Sequence, residues 1–419
     1  MNKPLLLLFA LSLVAACRTP APTLAPPAVP PTQHIQMEPL RFRVGPGGRV
    51  VAEFQDPASL FDEADRLFRE KKHEEALRLY DRILASSPPA RYRWPSLYNS
   101  GLALEKLGRH EEAIARYRAA IEVVPRSPDA IDAHFRLGAS LGKLKRWREA
   151  ADLFTQLLLR DDLKPVENFE ARVQVGVALA ELGEDDEAER TLLRAVRYHA
   201  EASRVEPLGD PALLGQAFFY LGNVAQRRMA AQPLRLPQEQ LEKDLNEKGR
   251  LLLTSQARYL SAVRTADSYW APAAGHQLGL VYERFHNDIL AAPVPPQLNA
   301  LEREVYLAEL TRKLMPLIRK AVGIYQRNLE LSERLGSQSP WVAQTRERME
   351  KLRRLLQSLD EQRPESAFPT ASGPPPRAQK PAAASSPPAG QSPTDQAPGK
   401  NPDRTPEQAR PGVQQTPSR

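Results

Sequence analysis

A single spacing limits this chain more than any other feature. Small residues recur at Ala64, Gly101, Gly138 and Gly176, in steps of 37, 37 and 38. Alanines keep the same beat at Ala76, Ala113, Ala150 and Ala188, and so do bulky residues four positions on, at Tyr80, Tyr117, Phe154 and Leu192. Helix axes approach to about 8–10 Å only where no side chain props them apart, so a Cβ-poor residue in register with a bulky one predicts a repeated pair of packed helices. Over 419 residues this describes a string of units, each touching its neighbours, and not two or three separate globular domains.

The unit is most complete between Trp94 and Pro125, where Leu97, Ser100-Gly101, Leu104, Ala113, Tyr117, Ala120 and Pro125 stand at the spacing of a known helix-turn-helix signature, lacking only the Leu before the glycine. On these residues the chain resembles the tetratricopeptide-repeat family, clearly over residues 57–200 and more loosely to about 360. The resemblance implies an all-α solenoid of helix-turn-helix units. The flanking regular units carry Leu60, Leu67 and Ile83 before Pro88-Pro89, then Leu137 and Leu141, then Val175, Leu179 and Ala195. From Glu201 the beat loosens, and residues 201–362 read as degenerate repeats with long helices and a final capping helix. A fifth first helix shows Phe218, Leu221-Gly222 and Ala225, with its partner delayed to about Gln238–Asp267. A sixth shows Leu278-Gly279 and Tyr282, with an insert before Ala321 and Tyr325, and Pro316 is expected to kink or split the helical stretch 298–335.

The chain opens as a secretory signal does: Lys3, an apolar run from Leu5 to Val14, then Ala15 and Ala16. That run is shorter than the roughly 20 residues a bilayer span needs. Val14-Ala15-Ala16-Cys17 resembles the bacterial lipobox, which implies cleavage between Ala16 and Cys17 and lipidation of Cys17; an ordinary signal peptide with an incidental cysteine is the other reading. Cys17 is the only cysteine, so no intramolecular disulfide forms. Arg18 follows where an Asp would favour the inner membrane, so the resemblance points to the periplasmic side of the outer membrane. Residues 17–40 form a Pro-rich linker, a semi-rigid spacer of about 3.1 Å per residue. Residues 41–56 are either an extended lead-in, the favoured reading, or a small hairpin around Gly45-Pro46-Gly47-Gly48. Residues 363–419, rich in Pro, Ala, Ser and Gln, lack an apolar period and are expected to be disordered.

No catalytic constellation stands out. The seven histidines show neither a His-Glu-x-x-His pattern nor a three-ligand cluster, and they sit on polar registers, so no metal and no cofactor are expected. Gly138 to Lys143 glances at a phosphate loop but is one residue short and has no strand before it. The formal charge is +7, yet Lys and Arg interleave with Asp and Glu along the helices; this is a solvated surface, and no nucleic-acid partner is expected.

The resemblance places binding on the concave face of the first helices. The position three before each small residue reads Phe61, Tyr98, Phe135, Val173, Phe219 and His276, which would make an apolar trough for a peptide, or else rings packed between neighbouring units. The carboxylate clamp of some family members is not expected, because Phe61 and Asp65 occupy its first two positions and only Asn99 fits the third. The expected function is that of a non-enzymatic scaffold lipoprotein, bound to the membrane through Cys17 and to other cell-envelope proteins through the groove. It resembles the tetratricopeptide lipoproteins of secretion, pilus and gliding-motility machines, the myxobacterial adventurous gliding type first among them. Two alternatives stay open: an outer-membrane assembly or cell-division coordination lipoprotein, and a peptidoglycan-binding or enzyme-accessory lipoprotein.

Overall fold

The computed structural model of the chain describes residues 40–44, 50–54, 56–209 and 211–361. The signal segment, Cys17, the linker before Leu40 and the tail from residue 363 lie outside the described residues. At the start, β1 (Leu40–Val44) and β2 (Val50–Phe54) pair antiparallel, with Leu40 opposite Phe54 and Val44 opposite Val50. The lead-in is therefore a hairpin and not simply extended: the Gly-Pro-Gly-Gly stretch lies between two β-prone runs whose backbone groups satisfy each other.

Among the described residues, every regular element after it is a helix. Eight helices make four regular hairpins: α1 (Pro57–Arg69) with α2 (His73–Ala85), α3 (Ala90–Lys106) with α4 (His110–Val123), α5 (Pro128–Lys143) with α6 (Trp147–Leu157), and α7 (Pro165–Glu181) with α8 (Asp185–Ala202). Two longer hairpins follow, α9 (Pro211–Ala231) with α10 (Gln238–Arg264) and α11 (Trp270–Leu290) with α12 (Ala300–Arg334), and α13 (Pro340–Glu361) closes the series. Each helix packs on the next in sequence, and first helices also touch one another, as α7 touches α9 and α9 touches α11.

The small residues do what their spacing implies. A Cβ placed on Gly101 would stand 2.6 Å from the Tyr117 ring, one on Gly138 2.1 Å from the Phe154 ring, and one on Gly176 2.5 Å from Leu192. Ala64 and Tyr80 are fully buried in one cluster at the equivalent place. The same contact returns beyond the regular units, Gly222 against Tyr259 at 2.5 Å and Gly279 against Tyr325 at 2.0 Å.

The turns inside the hairpins keep the beat as well. Lys71, Gly108, Lys145 and Gly183 all have positive φ, and the amide after each donates back to Leu67, Leu104, Leu141 and Leu179 respectively. This is the left-handed stop that satisfies the last carbonyls of a helix. At the other end, Asp56 caps α1 by accepting from Ala58 N at 3.1 Å, and Ser127 caps α5 by accepting from Ala130 N at 3.2 Å.

Pro316 does not split α12, which runs unbroken through it. A proline removes one backbone bond, to the carbonyl four residues earlier. Here both Pro316 and Arg312 are exposed, so water can take the freed carbonyl. Residues 300–317 of α12 bury nothing, and Leu301 and Val305 lie exposed on them. In α13, Met349 and Leu352 are buried while Leu355 faces solvent. Among the described residues no helix is long and apolar enough to cross a membrane.

Candidate functional site

First helices α1, α3, α5, α7, α9 and α11 carry the surface on which the repeat pattern places binding, but its chemistry is not that of an apolar trough. Of the six predicted groove residues, Val173, Phe219 and His276 are buried, at 0, 6 and 4 % exposure. Val173 lies in a cluster with Leu213, Ala217 and Leu221 of α9. Phe219 and His276 are both covered by Trp341 of α13, with ring centroids 6.3 and 5.5 Å away. The other three are half-buried and turn onto the second helix of their own hairpin: Phe61 onto Tyr80 at 5.9 Å, Tyr98 onto Tyr117 at 5.8 Å, and Phe135 onto Phe154 at 5.6 Å. Tyr98 also stacks on Trp94 at 5.0 Å.

Polar groups join neighbouring first helices. Asn99 donates to Asp65 at 3.0 Å, and Tyr80 donates to the same carboxylate oxygen at 2.5 Å. Burial, followed by that carboxylate, pushes the Tyr80 hydroxyl up and keeps it protonated. Ser140 donates to Glu105 at 3.1 Å, with Arg136 3.7 Å from the same carboxylate. Gln174 donates to Gln216 at 3.1 Å and Tyr220 to Glu181 at 2.9 Å. Asn99, offered by the sequence as one member of a clamp, is thus engaged within the chain.

Two histidines depart from the polar registers expected of them. His286 is buried, and His276 Nδ1 lies 3.1 Å from Thr345 Oγ1. Burial, with the Arg348 charge second, pushes His276 down to about 4, so it is a neutral packing residue.

Sequence reasoning missed Asn223, Gln226 and Arg227 of α9 and Gln277 and Arg284 of α11, which line one open notch. Their offsets from Gly222 and Gly279 carried the signal, since residues two before and one, four and five after the small position share the first-helix surface.

Tetratricopeptide-repeat profiles match residues 95–158 and 135–203. No curated protein matches the chain significantly. Similar solved structures include MamA residues 41 to the end from Desulfovibrio magneticus RS-1, at 18 % identity, TM-score 0.33, covering 49 % of this chain and 98 % of that one. The apo form of RapI aligns at 13 % identity and TM-score 0.42, covering 71 % of this chain and all of that one. YrrB, described as a tetratricopeptide protein with an unusual peptide-binding site, aligns at 20 % identity and TM-score 0.32, covering 50 % of this chain and 91 % of that one. The helix packing and the profile matches together identify residues 95–203 as tetratricopeptide repeats, within an all-α solenoid whose remaining hairpins make the same close contact.

Proposed function

We infer that this chain is a scaffold that holds another cell-envelope protein along its first-helix surface and is itself tethered by a lipid on Cys17 at the periplasmic side of the outer membrane. The scaffold part is the common work of tetratricopeptide repeats. The observation that carries the reading is the first-helix surface itself: polar groups of successive units lock its backbone spacing, and exposed positions such as Ala139 and Lys143 remain open for a partner. A preorganised surface binds without a further ordering cost. The anchor rests on Val14-Ala15-Ala16-Cys17, and the envelope machine, of gliding-motility, secretion or pilus type, on the architecture of a lipid tether, linker and solenoid.

A photoreactive residue in place of Ala139, followed by identification of what it captures in living cells, tests the surface. Outer-membrane or periplasmic machine components are the expected catch, and crosslinks confined to this chain would overturn the reading. Cys17→Ser tests the tether separately: loss of palmitate incorporation and release from the membrane fraction are expected, and unchanged membrane association refutes the lipid anchor.

A further inference from the structure

Between α9 and α11, Asn223, Gln226, Arg227, Gln277 and Arg284 line an open notch of about 590 Å³ whose only other lining residues are two alanines. The notch lies beyond the repeats matched by the profiles. Its amides are held from behind. The Tyr259 hydroxyl lies between the Asn223 and Gln226 amides, 2.7 and 2.5 Å from them; its single hydrogen goes to one amide oxygen and the other amide donates an N–H to the hydroxyl oxygen, so both amides are fixed by Tyr259. Burial raises the Tyr259 hydroxyl far above its ordinary range, which keeps it a donor at any pH the protein meets.

Two guanidinium groups and three amides thus line the notch, so donors outnumber acceptors there. Arg227 is partly used, on Asp185 and on the Ala180 carbonyl at 3.1 Å. The exposed Arg284 guanidinium has no ion-pair or hydrogen-bond partner among the described residues, and no carboxylate lines the notch. Elsewhere on the first-helix surface an acid answers some of these donors, as Glu105 does beside Arg136 and Glu181 beside Tyr220. Amide NH2 groups and guanidinium forks both require acceptors, and the unpaired Arg284 charge favours an anionic one.

We propose that the α9–α11 notch binds an Asp or Glu carboxylate of an acidic peptide segment running along the first-helix surface. This rests on the docking reading above and supplies the chemistry of the partner at this end of the surface. Asn223, Gln226 and Gln277 take acceptors of the peptide backbone, and Arg284, with the free face of Arg227, takes the carboxylate.

The full chain is titrated into a fluorescein-labelled ten-residue peptide alternating Glu and Ser, and into its Gln-Ser counterpart, with anisotropy as the readout. Arg284→Glu is compared with Arg264→Glu, an exposed change on α10 that alters net charge equally. The Glu peptide is expected to bind about tenfold more tightly than the Gln peptide, and Arg284→Glu to weaken it about tenfold while Arg264→Glu changes it less than about twofold. Equal losses in both variants, or equal affinity for both peptides, overturn the proposal. Inorganic phosphate that raises the melting temperature of the wild type but not of Arg284→Glu, without peptide binding, makes the notch a small-anion site and overturns the peptide assignment. Capture from position 139 with no Arg284 dependence removes the notch alone, whereas no capture and no peptide binding removes the docking reading with it.

Discussion

In residues 57–202 the small residue of a first helix and the bulky residue it faces are 16 positions apart in every unit, as in Gly101 and Tyr117; in residues 211–334 the same contact joins Gly222 to Tyr259 and Gly279 to Tyr325. The extra length sits at the turn end of the hairpins. The bulky residue is seven positions after the start of α2, α4, α6 and α8, but 21 after the start of α10 and 25 after the start of α12. At about 1.5 Å per residue, the second helices gain roughly 20 to 27 Å. A short turn fixes the register of a regular hairpin. A long helix joined by a loop of several residues can slide by whole turns, so something else must fix where it stops.

Buried polar contacts do that in the second region. Every buried Asp, Glu, Lys or His among the described residues falls there: Asp244, Lys248, His276, Glu283 and His286. The regular region buries only Ser96, Ser100 and Ser140 among polar residues, and it joins its units outside the core with exposed ion pairs such as Glu111 to Arg146 at 2.8 Å. Such pairs contribute about 0.5 kcal/mol or less each. A buried hydrogen-bonded charge is different in kind, because one wrong register leaves it unpaired at a cost of several kcal/mol.

Lys248 is where the contrast breaks most sharply. Its ammonium donates to Met229 O at 2.7 Å and Gln232 O at 2.9 Å, and lies 2.8 Å from Asp288, so it ties the end of α9 to α10 and α11. Lys248→Met leaves those acceptors without their donor and is expected to cost about 3–5 kcal/mol in chemical denaturation. A loss below about 1 kcal/mol would mean that register in this region is set by apolar packing, as it is in the regular units.

His276 gives the next largest effect. Its folded pKa, about 4, lies below the unfolded value near 6.5, so the unfolded chain takes up the proton first as pH falls. The contribution of neutral His276 is complete above about pH 6.5 and is lost as pH falls towards 4, amounting to at most about 3 kcal/mol. Urea titrations of the wild type and His276→Gln at pH 7 and pH 4.5 isolate it, since carboxylates titrate alike in both. Identical pH slopes would show that His276 is not buried by α13 in solution.

These two residues also show what is legible in the sequence and what is not. The close contacts of the regular units are readable because both partners lie within one short window, and a Gly or Ala placed 16 residues before a large side chain, unit after unit, is what two closely packed helices demand. Tyr259 is not readable as the partner of Gly222, since α10 carries apolar residues along much of its length and the sequence does not state where it stops sliding. The groove fails for a related reason. Phe219 and His276 stand at the same register position as Tyr98, yet Trp341, from a helix more than 60 residues away, covers both of them and leaves Tyr98 alone. Register predicts the face of a helix but not what a distant element lays over that face.

Gly138→Ala tests the regular contact itself. The added methyl would meet the Phe154 ring at 2.1 Å, so α5 and α6 must part or the ring must leave its rotamer, at a cost of about 1–3 kcal/mol. Thermal melts should place it well below Gly249→Ala on α10, where nothing lies within 4 Å of the new Cβ. If the two variants melt together, the glycine beat marks something other than close helix approach.

The smallest effect runs in the opposite direction and sharpens the comparison most cheaply. Gly108 and Gly183 end their first helices at φ +74° and +80°, while Lys71 and Lys145 fill the same place at +63° and +58°. A residue with a Cβ is strained there by roughly 1 kcal/mol, against which glycine loses more backbone entropy on folding. Lys71→Gly and Lys145→Gly should therefore each stabilise the chain by about 0.5 kcal/mol, and Gly108→Ala should destabilise it by about 1 kcal/mol. All three turns carry the same backbone bond, Lys72 N to Leu67 O, Arg109 N to Leu104 O and Arg146 N to Leu141 O at 2.9 Å, so the variants differ only in the strain at the turn residue. If the short turn holds the register of the regular hairpins, these gains appear in full on global unfolding. If the regular region frays unit by unit, each substitution protects its own hairpin alone, and hydrogen exchange in α1 and α2 responds to Lys71→Gly while α5 and α6 do not.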